Sequence, residues 1–358
     1  MGTRDEINTL LKDRPELICE YVYKKKVSAI KEILELPYWQ MDEYKPLLTS
    51  TIWKRNKDEI IQILSIEKLK DEKYKHLLTS SIWHSNSKNI KGTLDLNYFE
   101  DDKFKHLLTP TIWNSTKEDV ENILKLPNWN EEKFKKILTP NIWVKSYEEV
   151  KDILNLPYWD KEEYKEVLTA AVWDTTAEEI DKILKLPYWK DDKFKHLLKP
   201  NVWNTTSSKI TGILDMEEWE EEEYKGLLTS NIWHAIPSTI KKIFELEELK
   251  DEKYKHLLVP SIFNVRFENI LPSIKLLKEY NADACITNHF LRRDYNLQKL
   301  LLKYITDNGY DVLVLGNNGK YRLNPLLNAS NSDLKKKYNI DINELKKEGI
   351  SQDGKNIR

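Results

Sequence analysis

Residues 160–189 read DKEEYKEVLTAAVWDTTAEEIDKILKLPYW, and the same thirty-residue frame returns along most of the chain. Its anchor is a tryptophan. Trp53, Trp83, Trp113, Trp143, Trp173, Trp203 and Trp233 stand thirty residues apart, with Phe263 and Tyr23 in the same register at the two ends. A strict period of this length implies stacked copies of one supersecondary unit rather than one globular core. Residues that repeat are then candidates for structure, and residues that vary at a fixed place in the repeat are candidates for recognition.

Three pieces are legible in the unit. The first predicts a short helix over 160–168, with Tyr164, Val167 and Leu168 at i, i+3 and i+4 on one face and acids in the first turn, where the helix dipole favours them. The second is a tight turn carrying the Ile/Val-Trp pair. It often opens with Thr-Pro, as at Thr109-Pro110 and Thr139-Pro140, a pairing suited to an N-cap and first helical position. The third predicts a helix of about ten residues over 177–186, with Ile180, Ile183 and Leu184 buried. Thr176/Glu179, Asn56/Glu59 and Ser146/Glu149 have capping-box spacing, and Leu-Pro-Tyr-Trp then breaks the helix, since proline cannot continue it.

Charged residues make up 32% and apolar residues 40% of the 358, enough to bury a core, and glycine is scarce, which suits helices. Cys19 and Cys285 give neither a disulfide framework nor a zinc spacing. The start has no apolar signal core, and no apolar run is long enough to span a membrane, so the expectation is a cytoplasmic protein. The net charge of −2 is unevenly spread. Residues 261–358 hold 16 basic and 11 acidic residues, a balance of +5, which leaves −7 for residues 1–260.

These readings predict an all-α fold: a right- or left-handed α-solenoid of about nine repeats, each with two antiparallel helices and a short third one. A capping helix is expected within 1–16, the array over 17–280, a cap module over 281–350 and a disordered tail over 351–358. In the cap module, 294–308 predicts a helix ended by Gly309. Val312–Leu315 and Lys320–Leu323 predict a small hairpin about Gly316–Gly319, with short helices near Ser332–Tyr338 and Ile342–Lys347.

At this point the unit resembles the mitochondrial transcription termination factor (mTERF) family, in which repeats of about this length curve into a half-ring that commonly binds nucleic acid. Val259-Pro260-Ser-Ile-Phe263 followed by Glu268-Asn-Ile-Leu-Pro-Ser-Ile-Lys-Leu-Leu277 resembles that family's proline-led short helix and leucine-rich long helix. Thr109-Pro110-Thr-Ile-Trp113 with Val120–Leu126 fits the same frame, and His289-Phe-Leu-Arg-Arg293 looks like a diverged copy. The resemblance covers residues 17–340 as architecture. The long helix here is shorter than in that family, the tryptophan is unusual, the array is acidic, and the missing targeting segment points to a bacterial-type relative.

Four periodic features compete as functional residues. The tryptophans stand in phase with the buried Leu-Leu and Ile-Leu pairs and read as the seam between repeats, although aromatics also stack on bases. A lysine row follows the core aromatic of eight copies: Lys45, Lys75, Lys105, Lys135, Lys165, Lys195, Lys225 and Lys255. Such a row suits a phosphate backbone, as do Arg292 and Arg293. Six of the lysines have an acid four residues earlier, so the row also reads as a solvated, internally paired face. The pair after each Trp varies most: Lys54-Arg55, His84-Ser85, Asn114-Ser115, Val144-Lys145, Asp174-Thr175, Asn204-Thr205 and His234-Ala235, with Asn264-Val265 after Phe263. It sits ahead of a helix N-terminus, where backbone N–H groups suit an anion, and its side chains are of kinds that read base edges. It reads equally as a drifting solvent loop. His76, His106, His196 and His256 share one repeat position, too far apart to share a metal.

No Ser/His/Asp, Cys/His or paired-carboxylate constellation is present, and Gly316–Gly319 lacks the Lys-Ser/Thr of a P-loop. The sequence therefore predicts a non-enzymatic protein without cofactor, metal or small-molecule substrate. It would bind nucleic acid through the lysine row, with any selectivity from the pairs after each Trp. The alternative is a protein- or peptide-binding scaffold.

Overall fold

The structure, a computed structural model, describes residues 3–353 of the chain, with side chains through residue 347. It is mostly helical, with one two-stranded antiparallel sheet among the described residues. The chain forms two compact units, Met1–Asp181 and Lys182–Arg358.

In both units the full α-helix of the repeat is the third piece of the motif, and it is eight residues long: Val27–Leu34, Lys57–Leu64, Ser87–Leu94, Lys117–Leu124, Tyr147–Leu154 and Ala177–Leu184, then Ser207–Leu214 and Pro237–Phe244. It is two residues shorter than expected. Leu186, just before Pro187, is extended at φ −60° and ψ 139°, because the proline ring drives the preceding residue out of the α region. Ile66 is also extended, although Glu67 follows it, so burial of the next turn enforces the same stop. At the other end, Asn56, Asn86, Thr116, Ser146 and Thr206 each accept a bond from the N–H three residues on. At Ser146/Glu149 the capping box is complete.

The expected antiparallel first helix is not formed as such. It is a 3₁₀ turn at Lys45–Leu47, Lys75–Leu77, Glu162–Tyr164 and Lys255–Leu257. It is a four-residue α-turn at Asp102–Lys105, Glu132–Lys135, Asp192–Lys195 and Glu222–Lys225. So few residues cannot sustain a helix nucleus, and tighter i→i+3 turns replace it. The Trp-bearing piece is a five-residue 3₁₀ helix, as at Pro110–Asn114. Thr109 does not cap it through its side chain. Its hydroxyl pairs at 2.8 Å with that of Thr111, which donates to Pro140 O of the next repeat.

The repeat tryptophans form the seam. Each of Trp53, Trp83, Trp113, Trp143 and Trp173 donates its indole N–H to a carbonyl 36 residues earlier (Leu17, Leu47, Leu77, Leu107 and Ile137) at 2.7–2.9 Å, and Trp233 donates to Leu197 O in the second unit at 3.3 Å. All are at most 2% exposed. Each such ring removes enough apolar area from water to contribute on the order of 4 kcal/mol. A second set, Trp39, Trp129, Trp159, Trp189 and Trp219, lies in the turn that ends the eight-residue helix. Each donates to the carbonyl six residues earlier, in the last turn of that helix, and so satisfies its own buried indole N–H.

In the second unit the period gives way to the longer helices Phe267–Lys278 and Tyr295–Asp307. They are pinned by fully buried Gln298, whose amide donates to Phe290 O and Arg293 O and accepts from Ser273. Gly309, at φ +73°, ends the second helix, with Tyr310 N–H returning to Ile305 O. The hairpin pairs Leu313–Leu315 with Tyr321–Leu323. A four-residue helix at Pro325–Asn328, absent from the sequence reading, precedes the helix Asn331–Tyr338. The last helix, Ile342–Asp353, runs beyond its expected end, and the rest of the expected disordered tail lies outside the described residues.

Several tyrosines carry a pH signature. Burial, then the hydrogen bond to Asp181, pushes Tyr158 up to about 12, and burial beside Glu223 pushes Tyr224 up to about 12. A folded pKa above the unfolded value of about 10 gives stability that is fully present below pH 10 and lost as pH rises through 12. The urea midpoint is therefore expected to fall between pH 10 and 12, and less steeply in Tyr158→Phe and Tyr224→Phe. A flat midpoint over that window would contradict this.

Candidate functional site

The lysine row lies on the short first turn. Lys45, Lys75, Lys105, Lys135, Lys165, Lys225 and Lys255 each pair with the acid three residues earlier: Asp42, Glu72, Asp102, Glu132, Glu162, Glu222 and Glu252. Lys195 occupies the same exposed position. The acids four residues earlier do something else. Asp71, Asp101, Asp191 and Asp251 accept from the backbone N–H two residues on and so start the turn. Seven of the eight lysines thus face a carboxylate on their own turn, and that part of the row presents little net charge.

A second lysine row, unnoticed in the sequence, precedes the aromatic. Lys73, Lys103, Lys133, Lys193 and Lys253 lie 5.1–5.6 Å from the centroid of the ring that follows. They reach the next repeat at Glu100, Asn130, Asp160, Glu220 and Asp283 respectively. The signal was the Lys-aromatic-Lys triplet, whose first lysine faces the neighbouring repeat. The histidines also serve the stack: Nε2 of His76, His106, His196 and His256 donates to Leu108, Leu138, Leu228 and Ile286 carbonyls at 2.7–2.9 Å.

The pair after each Trp divides in two. Its second member faces inward. Ser85, Ser115, Thr175, Thr205, Ala235 and Val265 are at most 9% exposed. Ser115 donates to Trp143 O at 2.8 Å, and Arg55 Nε donates to Trp83 O at 2.9 Å while its NH1 meets Glu59. The Lys145 side chain is 10% exposed and pairs with Glu149. These residues, expected to give selectivity, instead pack the repeats together. The first member is exposed in every copy: Lys54, His84, Asn114, Val144 and Asp174 in the first unit, and Asn204, His234 and Asn264 in the second. Neighbours in this row meet, since His84 Nδ1 donates to Asn114 Oδ1 at 2.8 Å.

The helix N-termini beneath the row have less to offer an anion than expected. Lys117 N–H donates to Asn89 Oδ1, and Tyr147 N–H donates to Asp119 Oδ1 at 2.9 Å, each acceptor coming from the preceding repeat. The N–H two residues further on goes to the cap side chain. Arg293 is a further correction. It is 9% exposed, donates to Ala329 O, and burial lowers its pKa, so it braces the module from inside. Arg292 is exposed beside His289.

Among the described residues, no group of three or more His, Cys, Asp or Glu is arranged to hold a metal ion, and no helix is long and apolar enough to cross a membrane. No family model, curated protein or solved structure matches the chain.

Proposed function

We propose that the chain is a non-enzymatic helical-repeat scaffold that binds polypeptide through the exposed first residue after each repeat Trp. The carrying observation is that this one position is exposed in every copy, and varies from cation to anion to amide to valine, on a frame whose neighbours are buried. An ordered frame that presents one variable side chain per repeat is the general layout of a modular reader.

The chemistry of the row favours a protein over a nucleic acid. Phosphate contact needs unpaired cations, whereas the lysine row is matched by carboxylates three residues earlier and residues 1–260 carry −7. Asp174 and Val144 add nothing to a polyanion site, but both suit a peptide of mixed chemistry.

Selection of a random peptide library on the full chain, run beside a salt titration with random single- and double-stranded oligonucleotides, tests this. The expected result is a shared peptide consensus whose binding weakens in Asn114→Asp, with no oligonucleotide binding at low salt. Salt-dependent oligonucleotide binding without any enriched peptide would restore the nucleic-acid reading, and binding to neither would overturn the scaffold.

A further inference from the structure

We infer that the second unit is hinged at one joint, between the repeat at 217–246 and the repeat at 247–276. The hinge stands whether or not the row binds polypeptide.

The joints on either side show what this one lacks. Five side chains tie the repeat at 187–216 to the next: Lys193 to Glu220, His196 to Leu228 O, Asn201 to Ser230 O, Lys209 to Trp233 O, and the Trp233 indole back to Leu197 O. Thirty residues on, the same positions hold Glu223, Gly226, Asn231, Thr239 and Phe263. Three of these have lost the donor, since a carboxylate replaces the ammonium, a hydrogen replaces the imidazole and a phenyl ring replaces the indole. Asn231 and Thr239 keep a donor, yet neither side chain makes a hydrogen bond across the joint among the described residues. What remains is a 3.8 Å ion pair between Glu223 and Lys255, and Lys242 at 5.7 Å from the centroid of the Phe267 ring. Beyond residue 276 the ties return: Lys253 to Asp283, His256 to Ile286 O, Asn269 to Arg293 O, and Asn288 back to Leu257 O.

Apolar packing takes the place of the missing bonds. Phe263 of the later repeat meets Phe244 and Trp219 of the earlier one edge-on, with centroids 6.3 and 6.5 Å apart, and Phe244 lies 5.0 Å from Trp219. All three rings are at most 9% exposed. Hydrogen bonds fix distance and direction, whereas apolar burial depends on area and not on direction. A joint held mainly by rings therefore keeps two repeats together without fixing the angle between them, and they can swing or slide as packed bodies. His234 and Asn264, the last two exposed members of the row, stand on opposite sides of the joint. The motion changes their separation, while the five ties before it hold that of Asn204 and His234.

Methyl relaxation dispersion on the full chain tests this, since hinge motion falls on the microsecond-to-millisecond scale. Exchange is expected at the buried Ile243 and Ile262 methyls, one on each side of the joint, and not at Ile210 and Ile213 of the tied repeat. Gly226→His restores one tie at a place where an added Cβ meets no atom within 4 Å, and should lower the minor-state population about fivefold. His196→Gly does the reverse at the preceding joint, so exchange should then appear at Ile213. Flat profiles at Ile243 and Ile262, equal exchange at both joints in the wild type, or profiles moved by neither substitution would overturn the hinge.

Discussion

Trp143→Ala is expected to destabilise the first unit by about 4 kcal/mol. The ring is fully buried, so truncation forfeits its transfer free energy and opens a cavity between two repeats. It also removes one of the two donors to Leu107 O, the indole N–H at 2.7 Å, leaving the Thr109 N–H at 2.9 Å. Trp143→Phe separates the two contributions. It restores much of the volume and leaves Leu107 O with the Thr109 N–H alone, so it should cost about 1 kcal/mol for the lost hydrogen bond. Urea denaturation of all three proteins gives the comparison. Because each repeat leans on its neighbours, amide exchange should accelerate first beside residue 143. A loss under about 1 kcal/mol in Trp143→Ala would mean that the tryptophan seam does not hold the stack.

Asp283→Ala is expected to cost about 2–3 kcal/mol in the second unit. The carboxylate is 5% exposed and accepts from Lys253 Nζ at 2.6 Å and from the Tyr254 hydroxyl, where the repeat array meets the longer helices. Lys253 is 42% exposed along its side chain and can rehydrate, whereas Tyr254, 2% exposed, is left with an unpaired hydroxyl. One stranded group rather than two sets the size of the loss. Burial raises the Asp283 pKa, but the bonds from Lys253 and Tyr254 outweigh it and leave the group lowered. A lowered folded pKa gives stability that is present above the unfolded value near 4 and lost as pH falls through the folded one. The gap between wild type and Asp283→Ala should therefore be full at pH 7 and shrink below pH 4. Tyr254, which burial first and Asp283 second hold well above the ordinary tyrosine range, should titrate lower in the variant. A gap independent of pH would show that the charge on Asp283 is not what stabilises this junction.

The frame was readable from sequence because its period is exposed to inspection. Trp113 falls in phase with Leu107 and Val120, and all three are buried. The cap residues Asn56, Ser146 and Thr176 were equally legible, since capping is set within four residues of chain. The first turn was not. A pattern such as DDKFKHLL has helical spacing whether the chain completes two turns or one, and the backbone at Lys105–Leu108 closes after a single turn.

The pairs after each Trp were found but not resolved. Ser115 and Asn114 are neighbours of similar polarity, and nothing local separates the one that donates to Trp143 O from the one that stays in solvent. Arg293 misled for the same reason: beside Arg292 it reads as half of a basic patch, yet it is the residue that Ala329 O receives. Sequence by itself determined the repeat, its buried faces and the place where variation collects, because these depend on period and on bonds within one turn of chain. Only the tertiary structure decided which variable residue faces out, and that the helix N-termini are already occupied by Asn89 and Asp119 of the preceding repeat. Those choices rest on contacts between residues about thirty apart, and a one-dimensional period fixes how often such contacts recur but not which side chain turns toward the neighbour.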